Sequence, residues 1–101
     1  MKTSELTGAA LDWAVAQATG FDNGDWLPNY STEWCHGGAI IESEEISIES
    51  GVEWTAYCWI DKKDEQAYGN GKTPLEAAMR CYVASTLGDE VEVPQELISH
   101  V

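Results

Sequence analysis

The sequence predicts an α+β domain: a small three-stranded antiparallel sheet with flanking helices, in the order helix, long loop, three strands, helix. Three observations predict it. Two segments, one near each end, carry apolar residues at spacings of three and four and stop at a glycine. Between them, residues 46–68 read as short strands separated by turn-forming clusters. The 101 residues make a single domain, 1–101, with no room for a second core.

The first helix is expected over residues 7–19. Ala9, Ala10, Ala14, Ala16 and Ala18 supply helix propensity. Leu11, Ala14, Val15 and Ala18 line one face, Leu6 and Ala10 extend it, and Gly20 ends the helix. Residues 20–38 hold glycines at 20, 24, 37 and 38 and Pro28, and read as a long loop. Its Phe21, Trp26, Leu27, Tyr30 and Trp34 are too apolar for a floppy linker, so the loop is expected to fold over the core. Residues 39–44 fit either a helical turn or an extra strand, because Ile40-Ile41 is ambiguous at this length.

In the sheet, Ile46 and Ile48 alternate with Ser47 and Glu49, and Ser50-Gly51 forms a turn. Residues 52–59 make the best strand, with Trp54, Ala56 and Cys58 on one face and Thr55, Tyr57 and Trp59 on the other. Residues 61–64 read as a turn, 65–68 as a short third strand, and Gly69-Asn70-Gly71 as a loop. One helix layer cannot bury both faces of such a sheet. The chain's own long loop is expected to cover Tyr57 and Trp59; the alternatives are cover by the first helix or a contact with a ligand or second subunit.

The second helix is expected over residues 73–87. Thr73 is the N-cap, Pro74 takes the first helical position, and Glu76 completes a capping box. Leu75, Ala78, Met79, Tyr82, Val83 and Thr86 form its apolar stripe, and Gly88 supplies a left-handed stop. The tail, with Val91, Val93 and Leu97 around Pro94, is expected to pack on the body and fray after residue 97.

Acids outnumber bases 18 to 5, for a formal net charge of −13. Neutralising phosphates needs cations, so direct nucleic-acid binding is excluded, and anionic membrane surfaces are disfavoured for the same reason. No apolar run approaches the roughly 20 residues that span a bilayer, and Thr3-Ser4-Glu5 does not open a signal peptide. An odd number of cysteines, Cys35, Cys58 and Cys81, suits free thiols in a reducing cytoplasm. A homodimer is compatible with all of this.

The chemistry-bearing patterns are weak. Gly71-Lys72-Thr73 resembles the end of a phosphate-binding loop but lacks its first glycine, and reads as a loop plus an N-cap. Cys35-His36, Cys58 and Cys81 lack the close pairs of a zinc site, so no metal, cofactor or catalytic residue is assigned. Glu42, Glu44, Glu45, Glu49 and Glu53 read as a solvated acidic face. The sharper reading is an acidic surface that competes with DNA for a basic protein, since no Lys or Arg occurs between Thr3 and Asp61.

Met1 to Gly8 opening into Leu11-Asp12-Trp13-Ala14-Val15-Ala16, then Tyr30-Ser31-Thr32-Glu33-Trp34, Gly37-Gly38, Ile40-Ile41-Glu42, Thr73-Pro74-Leu75, Ala77 through Val83, Gly88-Asp89-Glu90-Val91 and Val93-Pro94 together resemble the NinX-like proteins of lambdoid phages and prophages. The resemblance covers almost the whole chain and departs at Ala39 and across residues 42–67. It implies an origin and not a reaction: a phage or prophage accessory protein acting in the bacterial cytoplasm. The expected function is non-enzymatic binding of a host protein or small ligand; the alternative is an acidic DNA mimic that inhibits a host DNA-binding protein. The family-like residues outside the apolar stripes are the candidate ligand- or partner-binding site: Tyr30, Trp34, Gly37, Gly38, Glu42 and Arg80.

Overall fold

The computed structural model describes residues 2–20, 28–59 and 65–93. The expectations for Phe21, Trp26, Leu27, the 61–64 turn and fraying after residue 97 lie outside these residues. Three helices, α1 (Gly8–Thr19), α2 (Trp34–Ser43) and α3 (Pro74–Leu87), accompany three strands, β1 (Ser47–Glu49), β2 (Trp54–Trp59) and β3 (Gln66–Gly71). The sheet order is β1-β2-β3 and both pairings are antiparallel. The expected α+β class is the observed one.

The layers are sheet, then α3, then α1. Helix α3 packs on β2 and β3 on one side and on α1 and α2 on the other. It is therefore buried almost all round. Ala77 and Cys81 join Leu75, Ala78, Met79, Tyr82 and Val83 in the interior, whereas Thr86, at the end of the expected stripe, is exposed. Leu6, Leu11 and Val15 from the N-terminal part complete the core with Met79, Val83 and Cys81. Alanines at 10, 14, 77 and 78 face these contacts, and short side chains let the layers approach closely.

The start of α3 bears out its capping signals. The Glu76 amide donates to Thr73 Oγ1 at 3.1 Å, and Glu76 Oε1 accepts from the Lys72 amide at 3.1 Å. The Thr73 cap is as expected, but the Glu76 carboxylate reaches the amide before the N-cap rather than that of Thr73, so the capping box is displaced by one residue. Burial pushes the Glu76 carboxyl up, but the Lys72 amide, the Thr7 hydroxyl and Arg80 together hold it below its ordinary value. Thr73→Ala is expected to cost about 1 kcal/mol, read as a lower urea midpoint with an unchanged slope.

Three expectations need correction. Residues 34–38, read as loop, begin helix α2, and the open question over residues 39–44 resolves as its continuation through Ser43. Gly69-Asn70-Gly71, read as a loop, is the end of β3. Gly88 stops α3 at φ 90 and ψ −167, which is not left-handed helical but a region reserved for glycine. A short 3-10 turn at Thr3–Glu5, not foreseen, ties the N-terminus to the segment after α3. The Thr3 amide donates to Asp89 O at 2.8 Å and its hydroxyl to Gly88 O at 2.6 Å. Lys2 and Glu90 bridge, and Val91 is buried, so the start of the tail packs on the body as expected.

The two misread glycine segments share one physical cause. A side chain on Gly69 would meet Ala77 O and the Cys81 amide on α3, and one on Gly37 would meet Tyr30 O and, at 2.6 Å, Leu75 Cδ2. These glycines permit close backbone packing rather than turns.

Candidate functional site

The six candidate residues all lie among the described ones, but they do not converge. Tyr30 is 7% exposed and packs edge-on against His36 with ring centroids 6.2 Å apart. Gly37 is buried where α2 passes Tyr30 and Leu75. Arg80 is half-buried: its Nε donates to Leu6 O at 2.7 Å, one terminal nitrogen donates to Asn70 O at 2.6 Å, and Glu76 lies at 3.6 Å. It ties α3 to the N-terminal segment and to β3. Trp34 and Glu42 are exposed on α2, and Trp34 Cε3 lies 3.4 Å from where a Cβ on Gly38 would stand. Trp34 forms a wall of a shallow cleft of about 350 Å³ with Thr7, Thr32, Thr73, Pro74 and Leu75. A second cleft, of about 440 Å³, runs between the N-terminal strap, β3 and α3, with Lys2, Glu53, Tyr68, Arg80 and Glu90 on its walls.

The other surface of note is the outer face of the sheet. The strand register places Ser47, Tyr57 and Tyr68 in one row, Glu49, Thr55 and Asn70 in a second, and Trp59 beside Gln66 in a third. Inward, Ala56, Cys58, Ala67 and the two β3 glycines meet α3. Outward, Trp59 keeps 60% of its surface in solvent and Tyr68 keeps 61%, while Tyr57 is half-buried. Trp59 is therefore open to solvent, against the expectation that both rings are covered, whereas Tyr57 is covered in part; residues 21–27 of the long loop lie outside the described residues. Tyr57 and Tyr68 lie side by side with ring centroids 6.3 Å apart. The Tyr57 hydroxyl donates to Glu49 Oε1 at 2.9 Å, and that hydrogen bond, with the carboxylate's charge, raises the phenol's pKa. Thr55 Oγ1 donates to Asn70 Oδ1 at 3.0 Å in the next row.

This face joins aromatic surface, hydrogen-bonding groups and one carboxylate on regular backbone. Sequence reasoning flagged Tyr57 and Trp59 through the apolar alternation on both faces of β2. It placed Tyr68 in the third strand but did not single it out, because a segment ending in glycines shows no alternation that assigns a face. Among the described residues, no group of three or more His, Cys, Asp or Glu side chains is placed to hold a metal ion, and no helix is long and apolar enough to cross a membrane.

A family model of Bacteriophage P22 NinX matches residues 23–86, more than half of the chain. The chain belongs to the NinX family. No curated protein matches it. The NinX match runs from before α2 to the last turn of α3 and so takes in the whole sheet. It contains all six candidate residues and also Tyr57, Trp59 and Tyr68, whereas α1 lies outside it. The family thus supplies the phage origin, and the geometry supplies the candidate surface.

Proposed function

We propose that this NinX-family chain is a non-enzymatic phage accessory protein that binds a basic surface of a host protein in the bacterial cytoplasm, and that the outer sheet face makes the contact. One observation carries the reading: Trp59 and Tyr68 stand exposed on the face of a sheet. Large aromatic side chains on rigid backbone are the residues that most often dominate binding energy, and they also stack on arginine and lysine side chains. The charge of −13 supports a cationic partner, because complementary fields speed encounter and disfavour acidic competitors. Glu49 adds a carboxylate within the face, and Glu53 stands exposed in the bend before β2. The acidic-mimic reading is a relative of this one, with the carboxylates rather than the aromatics setting the contact.

The test is capture of partners from a host lysate on immobilised protein, followed by affinity measurement with the identified partner. Trp59→Ala with Tyr68→Ala is expected to weaken binding at least about tenfold, a loss of about 1.4 kcal/mol. Trp34→Ala is the comparison. Loss on Trp34→Ala with none on the sheet-face variants would move the site to α2. Equal affinities for all variants, with binding abolished by neutralising Glu42, Glu44 and Glu45, would favour the acidic mimic.

A further inference from the structure

Cys58 and Cys81 lie in the core with no part in the binding surface. Cys58 points inward from β2 and Cys81 points up from α3, and their sulfurs stand 3.3 Å apart. The Cys81 thiol has two acceptors in reach, Cys58 Sγ and, at 3.4 Å, Ala67 O on β3. The closeness is built into the backbone. Gly69 lacks the side chain that would hold α3 off the sheet, and its Cβ position lies only 3.0 Å from Cys81 Cα. Cys35, by contrast, is exposed on α2.

We propose that Cys58 and Cys81 are a redox-active dithiol, which a peroxide converts into an intrachain disulfide tying β2 to α3. Cys58 is the attacking sulfur. The hydrogen bond from Cys81, 3.3 Å away, pulls its pKa down, with Ser85 assisting, against the opposing effects of burial and of Glu44. Cys81, facing that developing thiolate and buried, is pushed up and keeps its proton. Cys58 is 4% exposed, so a small oxidant reaches its sulfur by local opening of the fold.

The Cys58 thiolate attacks one peroxide oxygen, the O–O bond breaks, and water leaves once the departing oxygen is protonated; the product is a sulfenic acid. The Cys81 sulfur then attacks Cys58 Sγ, the S–O bond breaks, and a second water leaves with the Cys81 proton. Two thiols give up two electrons, and one hydrogen peroxide becomes two waters. A dithiol reductant reverses the step by exchange. Cys58 stands between Tyr57 and Trp59, so the bond fixes the strand that presents the open face, yet the inference does not depend on that face binding anything.

The experiment treats the folded full chain with hydrogen peroxide, blocks remaining thiols after denaturation, and maps non-reduced peptides by mass. The expected result is loss of two of the three alkylatable thiols, a linked Cys58–Cys81 peptide, and recovery of all three on reduction. The Cys35→Ser variant should form the same link. Cys58→Ser should abolish it, and because wild-type mapping needs no variant, a poorly folding Cys58→Ser does not weaken the test. Links that involve Cys35, or a peroxide dose that oxidises Cys35 while Cys58 and Cys81 both stay alkylatable, would overturn the proposal.

Discussion

Gly69→Ala is expected to destabilise the protein by about 3 kcal/mol, the upper part of the range for overpacked sites. The new methyl group would press on backbone atoms, Ala77 O and the Cys81 amide, and would stand 3.0 Å from Cys81 Cα. A flexible side chain could swing away; helix backbone moves only with the whole of α3. That helix is the layer on which both the sheet and α1 pack, so a shift of α3 loosens every interface at once. For a domain of this size the loss should appear as a fall in melting temperature of about 12 °C or more. Asn70→Ala, one residue along on the open face, is expected to change stability by about 0.5 kcal/mol or less. Equal melting temperatures for wild type and Gly69→Ala would mean that α3 does not lie so close to β3.

The second large effect is expected at Asp12, an acid 5% exposed on the inner side of α1. Its Oδ1 accepts from the Ser31 amide at 2.8 Å, joining α1 to the segment that leads into α2. The Ser31 hydroxyl is buried beside the same carboxylate. Burial raises the Asp12 pKa above its usual 3.8, and the Ser31 amide and neighbouring hydroxyl offset only part of that. The folded state therefore holds the Asp12 proton to higher pH than the unfolded chain does. Its contribution is fully present below the unfolded value of 3.8 and is lost as pH rises through the raised folded value. Asp12→Asn keeps an acceptor for the Ser31 amide, removes the buried charge and adds a donor beside Ser31 Oγ. It should gain stability over wild type as pH rises from acid to neutral, whereas Asp12→Ala should lose about 1–3 kcal/mol by leaving the Ser31 amide unpaired. Urea unfolding of the three proteins across that pH range measures this. A difference between Asp12→Asn and wild type that stays flat with pH would show that Asp12 does not carry a buried charge.

Neither effect is legible from local sequence. Asp12 lies beside the apolar stripe of the first helix and looks like a solvated position until the 28–33 segment is seen folded against it. Gly69 and Gly71 look like a loop because glycine is depleted in strands, yet here the missing side chain is what the strand supplies to α3. Arg80, singled out by resemblance, is held by Leu6 and Asn70 carbonyls far from it in sequence. Tyr30 and Gly37, singled out in the same way, are buried against each other.

What the chain determined by itself were the elements with a strong local physical signature. Helices α1 and α3 follow from alanine content, apolar spacing, the Thr73 cap with Pro74, and the stop at Gly20. Strand β2 follows from its alternation of large residues, and the acidic surface follows from composition alone. The tertiary structure decided where each glycine served, which aromatics stayed in solvent and which thiols met. Those outcomes depend on how closely one backbone layer can approach another, a property of residues brought together from distant parts of the chain.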